Sequence, residues 1–343
     1  MKLPSPFVQL PISFDAQRLA DEISALGEVS WRPHPQNFAG NSMLPLVAVD
    51  GDAGNESFNG PMLPTPELAR CAYMQQVLAS LGVTAGRTRL MRLSGGAEVT
   101  RHVDQGYYWT DRVRVHVPIV TQPGVRFECG DSAVNMAAGE CWIFDTWRLH
   151  RVLNEDDRSR IHLVCDTVGG EAFWNMVAAG RPVGGEAEPA GWQPKRFDFQ
   201  EGATPEIRFE AYNVPPIMSP WELKHRLDFL VGEMKPSPAV ATIGRQIDAL
   251  FRAWRAVWAQ YADASEAKPE YQRLMKNFLI KVQPLASVAI LRNDLPMWDA
   301  LTVMIASAAV VDNDQAAGPG NSLARRPQSA QGTAGVLFPG YMG

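Results

Sequence analysis

The sequence predicts an α+β protein in which a strand-rich middle segment is enclosed by helical flanks. Three observations carry that expectation. Between about residues 88 and 168 the runs "RTRLMRLS", "RVRVHVPIV", "VRFECG", "SAVNM", "ECWIFD" and "RIHLVCDT" recur with Gly, Asn, Pro or Asp between them. Such regular spacing suits a β-sandwich or a jelly-roll barrel. On both sides of this segment the apolar residues instead repeat at helical intervals. Finally, four of the six histidines, His102, His116, His150 and His162, fall inside the strand region.

Taken in order, "DAQRLADEISAL" and "PELARCAYMQQVLASLG" read as helices, separated by the Gly- and Asn-rich loop "NFAGNSMLPLVAVDGDAGNESFNGP". The strand runs follow. Beyond about residue 215, "TIGRQIDALFRAWRAVWAQYADA" places Ile243, Ile247, Leu250, Phe251, Trp254, Val257 and Trp258 on one stripe, which a helix must bury. "PEYQRLMKNFLIKVQPLASVAIL" and "LPMWDALTVMIASAAVV" are expected to pack against it as a helical C-terminal domain. The apolar run from Ala300 falls short of the roughly 20 residues that cross a bilayer and reads as a buried helix. "DNDQAAGPGNSLARRPQSAQGTAG" has the composition of a flexible tail.

The chain has 343 residues, of which 46% are hydrophobic, enough for one large or two ordinary cores. Its net charge is −5 with Lys and Arg dispersed, so no basic face is offered to nucleic acid. Cys71, Cys129, Cys141 and Cys165 form no C-x-x-C pair, as expected of reduced thiols in a cytoplasmic protein. The N-terminal stretch lacks the long apolar region of a signal peptide, and no membrane partner is expected.

The chemistry centres on "TRHVDQGYYW". On a strand, His102 and Asp104 would share one face, and a second histidine from a neighbouring strand would complete a two-histidine, one-carboxylate triad of the kind that holds non-haem Fe(II). An H-x-D tripeptide often arises by accident, so its neighbours matter. In "RVRVHVPIV", Arg112, Arg114 and His116 oppose Val113, Val115, Val117 and Ile119; in "RIHLVCD", Arg160, His162, Val164 and Asp166 oppose Ile161, Leu163 and Cys165. Read alone, either is a half-exposed strand. Together they bring guanidiniums to a common polar surface, and the arginine fork matches a small dicarboxylate. His150 follows the Gly139 turn and an apolar strand. His34 and His225 read as loop and helix-surface residues, Asp145 and Asp166 as turn or strand-end acids, and Trp254 and Trp258 as helix core.

From about Arg87 to Phe173, the set "RLMRLSGGAEVTRHVD", "RVRVHVPIVT", "GECWIFDTWRLHRVLN" and "RIHLVCDT" resembles the aspartyl/asparaginyl β-hydroxylase family of 2-oxoglutarate oxygenases, in its bacterial form. The resemblance implies a double-stranded β-helix, the cupin-like jelly roll, with flanking helices. By position it implies that His102, Asp104 and His150 hold Fe(II), that Arg160 clamps the distal carboxylate of 2-oxoglutarate, and that Arg114 and His116 line the end nearer the metal. Unlike the animal members, the chain keeps the carboxylate ligand, Asp104; Met91 stands where those enzymes place a small hydroxyl residue.

The implied reaction is O2-dependent hydroxylation of an unactivated C–H in an amino acid, peptide or related small molecule, releasing succinate and CO2. Tyr107, Tyr108, Trp109 and Trp147 are candidates for the substrate rim, with aromatic packing as the alternative; the loop "NFAGNSM" is a further one. Residues 1–205 are then expected to form the oxygenase domain with its N-terminal helices, 206–312 the helical C-terminal domain and 313–343 the tail. Two rival readings remain: a non-catalytic cupin-like sensor or scaffold that binds metal, and a zinc cupin isomerase or hydrolase, which needs no dicarboxylate clamp.

Overall fold

A computed structural model describes residues 1–35, 38–183 and 191–311. The expected tail, 313–343, lies outside the described residues, as does Asn37 of the loop "NFAGNSM".

Eight strands build the centre of the molecule: β1 (Thr84–Leu93), β2 (Glu98–His102), β3 (Val113–Val120), β4 (Val125–Cys129), β5 (Ser132–Val134), β6 (Trp142–Phe144), β7 (His150–Asn154) and β8 (Arg160–Thr167). One sheet contains the order β6-β3-β8-β1 and the other runs β5-β4-β7-β2, with every one of these pairings antiparallel. Apart from the β4–β5 hairpin, each connection from β1 to β8 crosses from one sheet to the other. That winding is the double-stranded β-helix. The turn into β6 uses Gly139 at φ 83°, where a Cβ would lie 2.4 Å from the Phe14 carbonyl oxygen.

The larger sheet extends to ten strands, with Phe7–Gln9 beside β6 and Asn41–Val49 beside β1. The second of these corrects the expectation of a loop between residues 37 and 61. Its middle, "SMLPLVAV", is almost wholly buried, so it shows no apolar–polar alternation, and the surrounding Gly and Asn mask it. Pro45 is accommodated where the register slips between Pro45 and Val47.

Alternation along the central strands separates two environments. Val113, Val115, Val117 and Ile119 of β3, Leu163 and Cys165 of β8, and Leu90 of β1 join the core formed with the helices Ala16–Leu26 and Ala72–Ser80. Arg89 and Met91 of β1, Arg114 and His116 of β3, and Arg160 and Val164 of β8 turn instead to the inside of the barrel. The single helix expected across "PELARCAYMQQVLASLG" is two, Pro66–Ala69 and Ala72–Ser80. The second starts afresh because Glu22 accepts hydrogen bonds from the Tyr73 and Met74 amides at 2.6 and 3.0 Å, satisfying its first turn.

After residue 219, α1 (Pro220–Glu233), α2 (Ala239–Tyr261) and α3 (Lys268–Ala286) surround a separate apolar cluster. Ile243, Ile247, Leu250 and Trp254 form its buried stripe on α2, and the Trp254 and Tyr271 rings lie 4.6 Å apart. The helix expected from Ala300 runs over Met297–Leu301 and then opens into a wider turn over Thr302–Ala306. Val103, between His102 and Asp104 in sequence, and Trp147 also enter this cluster, so the helices pack against the loops that flank β2 and β7. Among the described residues, no helix is long and apolar enough to cross a membrane.

Candidate metal centre and cosubstrate pocket

His102 and His150 are far apart in the chain, yet the β2–β7 pairing sets them directly opposite one another. Their rings stand 4.2 Å apart, as cross-strand partners should. Asp104 is not on the strand, as expected from H-x-D alternation, because β2 ends at His102. It lies in the following loop, held by a hydrogen bond from its amide to the Thr146 carbonyl at 3.0 Å. The ligand atoms of His102, Asp104 and His150 nonetheless lie within 4.8 Å of one another, and all three residues are buried.

The orientation of the imidazoles suits a metal. Nδ1 of His102 lies 2.7 Å from the Thr100 carbonyl, and Nδ1 of His150 lies 2.9 Å from that of Arg148. A carbonyl only accepts, so each Nδ1 carries a proton, which is the tautomer that directs Nε2 of a neutral ring towards a metal. His102 Nε2 is 3.7 Å from Asp104 Oδ1. Burial, reinforced by neighbouring His102, lowers the His150 pKa to about 3, so that ring is neutral. Burial opposes charge on Asp104, but Arg114, His150 and His102 outweigh it and hold its carboxyl at about 2. One carboxylate and two imidazoles on one side of a cavity are the kind of donor set that holds non-haem Fe(II).

Arg114 braces this carboxylate. Its Nη1 lies 2.9 Å from Asp104 Oδ2, and its Nε donates to Asp166 Oδ1 at 3.0 Å. Asp166, expected as a strand-end acid, is thus fully buried and links Arg114 to the cavity wall. Arg112 leaves the polar face proposed for it: it pairs with Glu210 at 2.8 and 3.0 Å outside the cavity.

His116 and Arg160 line the same cavity as the three candidate ligands. Arg160 is 4% exposed, its Nε and Nη1 have no partner among the described residues, and burial lowers its pKa to about 10. Its guanidinium lies 5.3 Å from the centre of the Phe127 ring. Both ring nitrogens of His116 also lack partners, and burial holds this imidazole neutral. Unsatisfied buried donors are costly, so a cation and an imidazole left this way beside a metal-type cluster fit a polar anionic guest. Met91 lines the cavity as well and offers no hydroxyl.

Of the four aromatic residues expected at the rim, only Trp109 reaches the cavity. Tyr107 donates to Glu222 on α1 at 2.7 Å, and the Tyr108 hydroxyl accepts from the Arg87 amide at 3.0 Å. Trp147 packs on Phe229 and donates to Glu233 at 3.0 Å. These three were drawn away because each polar tip finds a hydrogen-bond partner elsewhere. The apolar walls are instead Phe38, Phe58, Phe127 and Phe144, and Arg87, Arg89, Glu56 and His34 add polar groups that sequence reasoning missed. For the arginines a signal existed: "RTRL" alternates two cations with residues of the opposite face.

Residues 58–169 match the family model described as aspartyl/asparaginyl beta-hydroxylase. An L-proline cis-4-hydroxylase of Rhizobium meliloti (strain 1021) is 26% identical over 176 residues, which cover 48% of this chain and 63% of the relative's length. The chain therefore spans less than two thirds of that curated relative. Among solved structures, a Pseudomonas putida prolyl-4-hydroxylase is similar at 17% identity over 48% of this chain and 92% of that one, with a TM-score of 0.34. An oxidoreductase of the 2OG-Fe(II) oxygenase family from Burkholderia pseudomallei is similar at 15% identity over 49% and 87%, with a TM-score of 0.35. The matched segment contains His102, Asp104, Arg114, His116, His150 and Arg160, so the similarity to the aspartyl/asparaginyl β-hydroxylase family model includes these six cavity residues.

Proposed function

We propose that the protein is an Fe(II)- and 2-oxoglutarate-dependent dioxygenase that hydroxylates an unactivated C–H of an amino acid, peptide or related small molecule. His102, Asp104 and His150 would hold the metal, with Arg114 keeping the Asp104 carboxylate charged and in place. Arg160 would bind the distal carboxylate of 2-oxoglutarate, and His116 would contact the end nearer the metal. When bound, Fe(II) supplies the oxidising power that couples O2 and decarboxylation of 2-oxoglutarate, giving succinate and CO2, to conversion of C–H to C–OH. Phe127 and Phe144 keep water from the cavity, which strengthens every polar contact inside it. We also propose that 1–205 acts as the oxygenase domain and 206–312 as a helical domain, an organisation supported by the separate apolar cluster of α1–α3.

The observation that carries this reading is Arg160, a buried guanidinium whose Nε and Nη1 have no partner among the described residues, in the cavity of a two-histidine, one-carboxylate cluster. A zinc isomerase or hydrolase has no use for it, and a non-catalytic sensor would bind the cosubstrate without consuming it. The test supplies Fe(II)-loaded protein with 2-oxoglutarate, O2 and a panel of amino acids, peptides and acyl compounds, and measures succinate. Release stimulated by one compound and abolished by His102→Ala is the expected result. Binding of 2-oxoglutarate with no succinate under any condition would favour the sensor.

A further inference from the structure

Arg87 and Arg89 stand two residues apart on β1, so both side chains enter the cavity from the strand beside β8. The register sets Arg89 opposite Val164, four residues along β8 from Arg160, or about 13 Å of strand. The cavity therefore holds cationic groups at two separate places. Arg89 is 3% exposed; among the described residues its Nε has no partner, and its Nη1 reaches the Met43 sulfur at 3.8 Å. Nε of Arg87 also lacks a hydrogen bond, and the carboxylate oxygen nearest it, Asp166 Oδ2, is 3.8 Å away on a group already bonded to Arg114. The Arg87 guanidinium lies over the Phe58 ring at 3.8 Å, which holds it flat against the cavity wall.

Buried guanidiniums without full compensation are costly, and the oxygenase reading uses only one of them for the cosubstrate. Glu56, half-buried on the same wall, is the complementary feature: two cations beside a carboxylate mirror a carboxylate beside an ammonium. Resting on the oxygenase reading above, we propose that Arg87 and Arg89 form a second anion subsite that takes the carboxylate of the substrate, with Glu56 facing its ammonium group. The substrate is then a free α-amino acid and not an internal residue of a protein chain.

The test is calorimetric titration of the Fe(II)-loaded protein under nitrogen, first with 2-oxoglutarate and then, with it bound, with each common L-amino acid and its α-carboxamide. One amino acid is expected to bind, its carboxamide at least roughly tenfold more weakly, since one charge-assisted pair is lost. Arg89→Gln should weaken that amino acid by a similar factor while 2-oxoglutarate affinity stays within about twofold, and Arg89→Lys should fall between. Should Arg89→Gln fail to fold, the acid-to-carboxamide comparison on the unaltered protein decides the matter. Equal binding of acid and carboxamide, no amino acid bound, or loss of 2-oxoglutarate affinity in Arg89→Gln would each overturn the subsite. If 2-oxoglutarate fails to bind the unaltered protein, the oxygenase reading falls with it; if it binds and no amino acid does, the subsite alone falls.

Discussion

Replacing Arg160 by Met should move stability and cosubstrate affinity in opposite directions. In the absence of ligand, the guanidinium is buried with two nitrogens unbonded, and burial is what depresses its pKa to about 10. Methionine has a similar reach, carries no charge and keeps contact with Phe127, where sulfur packs well on an aromatic ring. Removing an uncompensated buried charge should leave the ligand-free protein unchanged or more stable by about 1–3 kcal/mol, read as a higher urea midpoint at constant slope. On the proposed reading, the same change deletes the charged partner of the distal carboxylate. A loss of about 2–4 kcal/mol corresponds to a 2-oxoglutarate Kd raised roughly 30- to 1000-fold in calorimetry. A variant that is less stable yet binds 2-oxoglutarate with undiminished affinity would refute the reasoning, because it would mean that the guanidinium is compensated within the fold and has no anionic guest.

Three further outcomes follow from other parts of the structure. If His102 is one of the three proposed donors, His102→Ala should lower Fe(II) affinity by more than about 100-fold in a chelator competition, while circular dichroism stays unchanged. Glu210→Ala leaves Arg112 buried and unpaired and should cost about 3–5 kcal/mol in urea unfolding, most of it recovered in the double variant with Arg112→Met. Glu128 accepts from Arg151, Arg126 and Arg101 on the outer face of the smaller sheet, and these bonds, with Arg151 foremost, hold its pKa at about 2 against an ordinary 4.5. A depressed folded pKa means that its contribution is complete above pH 4.5 and lost as pH falls towards 2. Screening at this surface limits the contribution to about 1 kcal/mol, so acid unfolding of Glu128→Gln should show a correspondingly shallower decline over that window.

The strand region was legible because a two-sided barrel stamps period-two alternation on its strands: Val113, Val115 and Val117 out to the helices, Arg114 and His116 in. Asn41–Val49 escaped because a strand covered on both faces carries no alternation, only an apolar run amid turn residues. The break at Cys71 escaped because the carboxylate that starts the second helix, Glu22, comes from a different element. The rim aromatics show the same limit. Tyr107 and Trp147 have the composition of a binding edge, but the acids that capture their polar tips, Glu222 and Glu233, lie on α1.

By itself, then, the chain determined which residue types were available and how they were spaced: strands with charged inner faces, an H-x-D pair, a histidine after a turn, and arginines at two-residue intervals. Tertiary structure decided which of these meet. The β2–β7 register puts His102 opposite His150, a loop bond to Thr146 swings Asp104 beside them, and the barrel interior strips water from Arg87, Arg89 and Arg160. Alternation is symmetric, so a strand's sequence cannot say whether its polar face meets solvent or a closed cavity. That depends on the opposing sheet, and burial there turns an ordinary cation into a binding group.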